Sequence, residues 1–272
     1  EFADALKQAL NEIAARSGDA AAIATSNNTL GAGVKLYTAT YRTGDWSGRL
    51  EQKSVFYNTS NPADPANGTV SPTNDWDTDL EKPVPATRNI VTSAASGTGG
   101  LDFTYANLFS ADKAKFDTSA STYGNGTQVS GSDIFNFIRG DSTKEGDFFR
   151  RRSYWLGDLV NSDPQYVAEG QDHGYSFLPA GSYGKTVYQS YLNQKKGRAP
   201  TVYVGSNDGM LHAFDATNTA SGGTERFAFV PKAVIGNMPE LAKPNYVHRF
   251  FVDGTPAIGD APLGSNPSSP WT

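Results

Sequence analysis

The sequence predicts an all-β chain of many short strands, opened by one helix and interrupted by helical insertions. Gly and Pro number 28 and 15 among 272 residues, and aromatic residues make up 12%, a mix that suits short strands joined by polar turns. The stretch 199–231, APTVYVGSNDGMLHAFDATNTASGGTERFAFVP, reads as a three-stranded antiparallel meander. Residues 201–205 and 210–216 alternate about Ser206-Asn207-Asp208-Gly209, whose Asp-Gly step supplies positive-φ positions. A Thr/Ser/Gly-rich loop then leads to a third strand, 225–230. A meander of this kind is the unit of a β-propeller blade, so the expected architecture is a partial, irregular β-propeller.

The other elements follow in order. Residues 3–16 place Ala5, Leu6, Ala9, Leu10, Ile13 and Ala14 on one helical face, with Gly18 as C-cap. This divides the chain into a helix or linker over 1–18 and propeller sequence over 19–272. Strands are expected at 20–25, 35–42 and 47–57, the last two joined by the tight turn Thr43-Gly44-Asp45-Trp46. Residues 58–86 are rich in Asn, Asp, Pro, Thr and Ser and predict a long surface loop. Short strands at 89–92 and 101–104 precede short helices at 110–115 and 133–138. Turn-rich sequence over 155–167 carries one strand near Tyr166, and a helix over 183–195 leads into the blade. Residues 231–241 read as helical, and 246–260 as the opening of a next blade. The whole reads as a piece of a longer protein.

Composition excludes several function classes. The net charge of −5 argues against a nucleic-acid surface. The runs Arg150-Arg151-Arg152 and Lys195-Lys196-Gly197-Arg198 are short enough to read as solvated loops or local carboxylate partners. With no cysteine there is no thiolate site, Cys nucleophile or disulfide frame. No apolar run has membrane-spanning length. HExxH, GxSxG, P-loop and GxGxxG patterns are absent, so the chain is expected not to be an enzyme.

Three constellations remain. Asp75, Asp77 and Asp79 alternate and offer oxygen ligands for a hard cation, but lack the Gly and Glu of an EF-hand loop; a solvated extended edge is the reading preferred for them. Arg139-Gly140-Asp141 offers a cation and a carboxylate to a receptor. The same tripeptide also follows a helical apolar run, where Gly140 serves as its cap. His212 shares a strand face with Met210 and Phe214, which predicts an inward histidine with its hydrogen bonds met.

Five segments in order resemble the C-terminal domain of the PilC/PilY family of type IV pilus biogenesis factors and tip adhesins. They are LYTATYRTGDWSGRLEQ (36–52); 76–103 with its Arg88-Asn89-Ile90-Val91-Thr92; FIRGD (137–141) with FRRRSYWLGDLVNSDPQYV (149–167); VYVGSNDGMLHAFDA (202–216) with FAFVP (227–231); and HRFFVDGTPAIGDA (248–261). The resemblance implies a quinoprotein-like propeller of the seven-bladed type, of which this chain holds roughly the first half. It implies secretion to the outer surface or pilus tip of a Gram-negative bacterium, where the protein serves adhesion and pilus assembly and retraction. Minor pilins and a host receptor or glycan are the implied partners. No cofactor is expected in this stretch; the family's calcium loop of alternating Asp and Asn lies downstream. Two rivals stand beside this reading: a quinoprotein-like oxidoreductase, against which the absence of Cys argues, and a purely periplasmic assembly scaffold.

Overall fold

The computed structural model describes residues 20–26, 33–94, 99–123, 128–168 and 171–272; the helix expected over 3–16 lies outside them. The first half builds one antiparallel sheet from β1 (Ala20–Thr25), β2 (Lys35–Arg42), β3 (Ser47–Ser54) and the two-residue β4 (Trp76–Asp77). Strands β2 and β3 pair from Lys35↔Ser54 to Arg42↔Ser47, as a four-residue turn requires. That turn places Trp46 in the left-handed region (φ 52°), costly for a bulky side chain. Its indole stacks on His248, ring centroids 3.8 Å apart.

The remaining strands are β5 (Ile90–Ser93), β6 (Gly100–Asp102), β7 (Leu156–Gly157), β8 (Gln165–Val167), β9 (Thr201–Ser206), β10 (Met210–Asp215) and β11 (Glu225–Val230). The expected meander forms as β9–β10–β11 and becomes the centre of a six-stranded sheet ordered β6-β5-β11-β10-β9-β8. Local pattern could not foresee that β11 also pairs in parallel with β5, Ala228 opposite Ile90. Strand β7 joins the first sheet, against Ser47 and Gly48.

The helices are α1 (Ser110–Tyr123), α2 (Gly131–Ile138), α3 (Tyr188–Lys195) and α4 (Lys232–Ile235), with a 3-10 turn at Met238–Ala242. Ser130 and Asp133 form a capping box at the start of α2. Helix α1 runs past the expected Lys115 because Phe116 and Ala120 are buried against the α2 face, outweighing weak Ser/Thr propensity. Residues 116–123 thus continue the helix.

Two further expectations are corrected. Asp75 to Glu81 is not an extended edge: only Trp76–Asp77 is strand, and turns follow. Among the described residues 246–260 form no strand. Their backbone is met by other groups, as where Phe251 N–H donates to Asn207 Oδ1 at 2.8 Å.

One apolar core, including Tyr37, Leu50, Trp76, Trp155, Leu156, Val204 and Phe214, lies between the two sheets. A second gathers Ile90, Phe116, Phe135, Phe137, Met210, Val230 and Met238 beneath α1 and α2. The sheets approach through glycine. A Cβ on Gly157 would collide with the backbone nitrogen of Asp208 and stand 2.8 Å from the Asn207 carbonyl carbon, whereas one on Gly254 would meet nothing within 4 Å. Gly157→Ala is thus expected to lower stability by about 1–3 kcal/mol, while Gly254→Ala stays within about 0.5 kcal/mol of wild type. Urea midpoints of the two variants check this.

Candidate functional site

The most concentrated chemistry lies between the two cores. His212 on β10 points inward, as its alternation with Met210 and Phe214 predicts. Its Nδ1 stands 2.8 Å from Glu225 Oε1, and its Nε2 lies 3.1 Å from both oxygens of Asp208. Both ring nitrogens face carboxylates, so both donate and the ring is an imidazolium. Arg88 closes the chain: Nε and Nη2 donate to the two Glu225 oxygens, each at 2.7 Å, and Nη1 donates to the Arg139 carbonyl at 2.8 Å. The guanidinium also lies over the Trp155 ring, 4.9 Å from its centroid. Two positive and two negative groups balance.

The protonation states follow. Burial by itself would lower the His212 pKa, but the charges and hydrogen bonds of Asp208 and Glu225 override it and push it up to about 9. Burial opposes ionisation of Glu225 too, yet Arg88 and His212 hold it down at about 2. Asp208 is likewise lowered by His212 against the opposing effect of its burial.

A β-bulge makes this geometry possible. Ala213 opposes Phe227 and Phe214 opposes Glu225, leaving Arg226 as an extra residue on β11. Strand alternation therefore changes phase there. Glu225, Ala228 and Val230 all face inward, while Arg226 and Phe227 both lie towards a cleft on the other side. A regular strand would turn Glu225 outward.

Further ionic links tie the loops to this centre. Asp158 accepts from Asn207 Nδ2 at 2.7 Å and meets His248 Nε2 at 3.0 Å. Arg152 binds Glu145 at 2.6 Å and lies 3.8 Å from the Phe137 ring centroid. Arg150 donates to the carbonyls of Leu241 and Asp45, and its burial lowers its pKa to about 10. Two of the three arginines at 150–152 are thus structural rather than solvated.

Comparison with known proteins identifies the stretch. A family model described as the PilY1 β-propeller domain matches residues 156–265. The PilY1 homologue of Xylella fastidiosa Temecula1 is 34% identical over 94% of this chain, and the PilY1 of Pseudomonas aeruginosa UCBPP-PA14 is 33% identical over 96%. The PilY1 of Pseudomonas aeruginosa PAK is 40% identical over 63%. This chain belongs to the PilY1 family. It spans only 18%, 23% and 14% of the length of those three relatives, respectively. No solved structure matches the chain.

Within this PilY1 stretch the three residues of the Arg-Gly-Asp tripeptide come together as a helix end. Gly140 has φ 107°, its N–H donates to Phe137 O, and the Asp141 N–H donates to Asn136 O. These are the two bonds of a Schellman motif. The Arg139 guanidinium turns back onto the carbonyls of Pro85, Arg88 and Phe103, and Asp141 Oδ1 accepts from Thr143 N–H. The receptor-presenting geometry expected for Arg139, Gly140 and Asp141 is not the one formed: the cation is folded inward. The turn does border a cleft of about 420 Å³ that Val84 and Pro85 also line.

The alternating carboxylates do not converge either. Asp75 binds Lys35 at 2.9 Å and accepts from Ser54 and Gln52. Asp77 binds Arg49 at 3.0 Å and accepts from the Asp79 N–H. Lys35 and Arg49 thus take the roles that a cation at Asp75 and Asp77 would have had. Among the described residues no three His, Asp or Glu side chains are grouped to hold a metal ion.

The sequence signalled His212 as inward and partnered. It gave no hint of Arg88, which lies 137 positions from Glu225.

The sign of the pH dependence is set by these shifts. The contribution of His212 is complete below its ordinary pKa of 6.5 and is lost as pH rises through about 9. That of Glu225 is complete above 4.5 and is lost as pH falls through about 2. Glu225→Gln is expected to cost about 3–5 kcal/mol near pH 6, because Arg88 and His212 lose their anion. The cost shrinks above pH 9, where His212 is neutral in the wild type too. Urea unfolding at the two pH values checks both.

Proposed function

We propose that this chain forms part of a pilus-tip-associated adhesin that also governs type IV pilus assembly and retraction, acting by binding at the outer surface of a Gram-negative bacterium. The observation that carries this reading is its relation to proteins named type IV pilus biogenesis factor PilY1 along nearly the whole chain. A binding role is further supported by where the strongly perturbed groups lie. His212, Glu225 and Asp208 are enclosed and mutually neutralised, whereas a catalytic acid or base must reach a substrate. Among the described residues no helix is long and apolar enough to cross a membrane.

The surface best built for contact is the loop between β3 and β4. Asn58 Nδ2 donates to Asp64 Oδ2 at 2.8 Å, and Asn67 Oδ1 accepts from the Asn58 N–H at 2.6 Å. Asn67 Nδ2 reaches the carbonyls of Asn61 and Pro62. These bonds hold an exposed loop in one shape before any partner arrives, which lowers the ordering cost of binding. Leu80 and Val84, 80% and 64% exposed, continue the surface. Minor pilins and a host receptor or glycan are the partners we assign to it, in place of an interaction through Arg139.

In bacteria lacking residues 20–272 in frame, electron microscopy is expected to show few surface pili, restored when retraction is disabled. Replacing 58–68 by a Gly/Ser segment of equal length is expected to leave the fold intact and to reduce attachment. Unchanged pili and unchanged attachment in the deletion strain contradict the proposal.

A further inference from the structure

The β-bulge that turns Glu225 inward sends Arg226 and Phe227 to the opposite face, where they line a cleft of about 610 Å³ together with Tyr191, Arg198 and Tyr203. This is the size of a site for one or two sugar rings or a comparable small molecule. The cleft lies between the start of β9, the bulged part of β11 and the end of α3. Its wall is built from buried polar groups. Lys195 Nζ binds both Asp260 oxygens at 2.8 and 2.9 Å, and the Tyr188 and Tyr191 hydroxyls donate to the same carboxylate at 3.0 and 3.1 Å. Asp260 is therefore satisfied and neutralised.

The positive side is not balanced in the same way. Arg198 is exposed, and its guanidinium has the Tyr191 ring at 5.3 Å and the Tyr191 hydroxyl at 3.5 Å. Among the described residues it has no carboxylate partner. Arg226 Nη2 pairs with Asp215 at 2.8 Å and also donates to the Pro200 carbonyl at 3.4 Å, which leaves Arg226 Nε as its enclosed nitrogen with no acceptor. Tyr203 and Phe227 meet edge to face at 6.2 Å across β10 and give the cleft an aromatic floor. Guanidinium groups select carboxylates, and an aromatic floor favours a ligand with an apolar face.

We propose that this cleft binds a small sugar acid, its carboxylate on Arg198 and Arg226 and its ring against Tyr203 and Phe227. The inference rests on reading the chain as a binding module and names a ligand class for it. A bulge at this position then has two consequences: it delivers Glu225 to the buried charge chain and builds the floor and one cation of a site.

The test is titration of the purified 272-residue chain with D-galacturonate, its neutral counterpart D-galactose, glutarate and a short oligoglutamate peptide, by saturation-transfer NMR and calorimetry. Galacturonate is expected to bind at least about tenfold tighter than galactose, and Arg198→Ala to lose about tenfold or more. Arg198→Lys retains part of the affinity, because charge without the planar fork is a weaker match. Near-UV circular dichroism identical to wild type shows that the exposed substitution left the fold intact. Equal binding of galactose and galacturonate, wild-type affinity in Arg198→Ala, or no binding up to about 10 mM overturns the proposal. So does glutarate or the peptide binding as tightly as galacturonate, since the ring would then contribute nothing. Absence of sugar-acid binding together with pilus loss in the deletion strain removes this site and leaves the pilus role standing. Binding without any pilus or attachment phenotype does the reverse.

Discussion

The side chains of Arg88 and Glu225 are each 1% exposed, and a charge so enclosed is tolerated only when its hydrogen-bonding groups are met. That constraint organises the centre of the molecule. Glu225 accepts from Arg88 through both oxygens and from His212 through one. His212 in turn needs Asp208, which sits in the turn between β9 and β10. Arg88 must reach the Arg139 carbonyl, which sets where α2 ends. Four separated segments are thereby placed by one neutral chain of charges, with apolar cores on either side. Replacing such a chain by apolar residues of equal shape need not destabilise a protein, but breaking it does. Its effect is to fix which strand faces which, and how α2 docks.

The bulge at Arg226 is where this constraint meets the surface. Without the phase change Glu225 would point away from Arg88, and the inward run of Ala228 and Val230 could not be kept on the same strand. Bulges commonly re-aim side chains beside functional sites; here the re-aimed side chains are those of Arg226 and Phe227. The Arg-Gly-Asp turn shows the same economy in another form. The glycine that ends α2 frees the Arg139 carbonyl for Arg88, while the Arg139 guanidinium secures the carbonyls on the far side.

Much of the sheet was legible because it rests on local rules. Alternation placed β2 at Lys35–Arg42, strand-like sequence placed β1 at Ala20–Thr25 with the same limits, and the Asn-Asp-Gly turn located the meander. The failures share a cause. Helix α1 extends beyond Lys115 because Phe116 and Ala120 find partners on α2, a contact that composition does not reveal. Residues 246–260 read as the opening of a blade but lie where side chains, such as that of Asn207, meet the backbone. The carboxylates at Asp75 and Asp77 looked like a row of ligands until Lys35 and Arg49 took them. For the charge chain, the inward face of His212 was readable, but its partners come from the register of β10 with a bulged β11 and from a loop near β5. Family resemblance supplied the propeller assignment that these local rules support without completing.

His212 is a buried imidazolium held between Asp208 and Glu225. The direct measurement is an NMR titration of its ring Cε1–H in the folded chain, assigned by its loss in His212→Gln. A midpoint near 9 is the result this account predicts. A midpoint at or below the ordinary 6.5 would mean that burial outweighs the two carboxylates, and would contradict the charge chain as the organising feature of the fold.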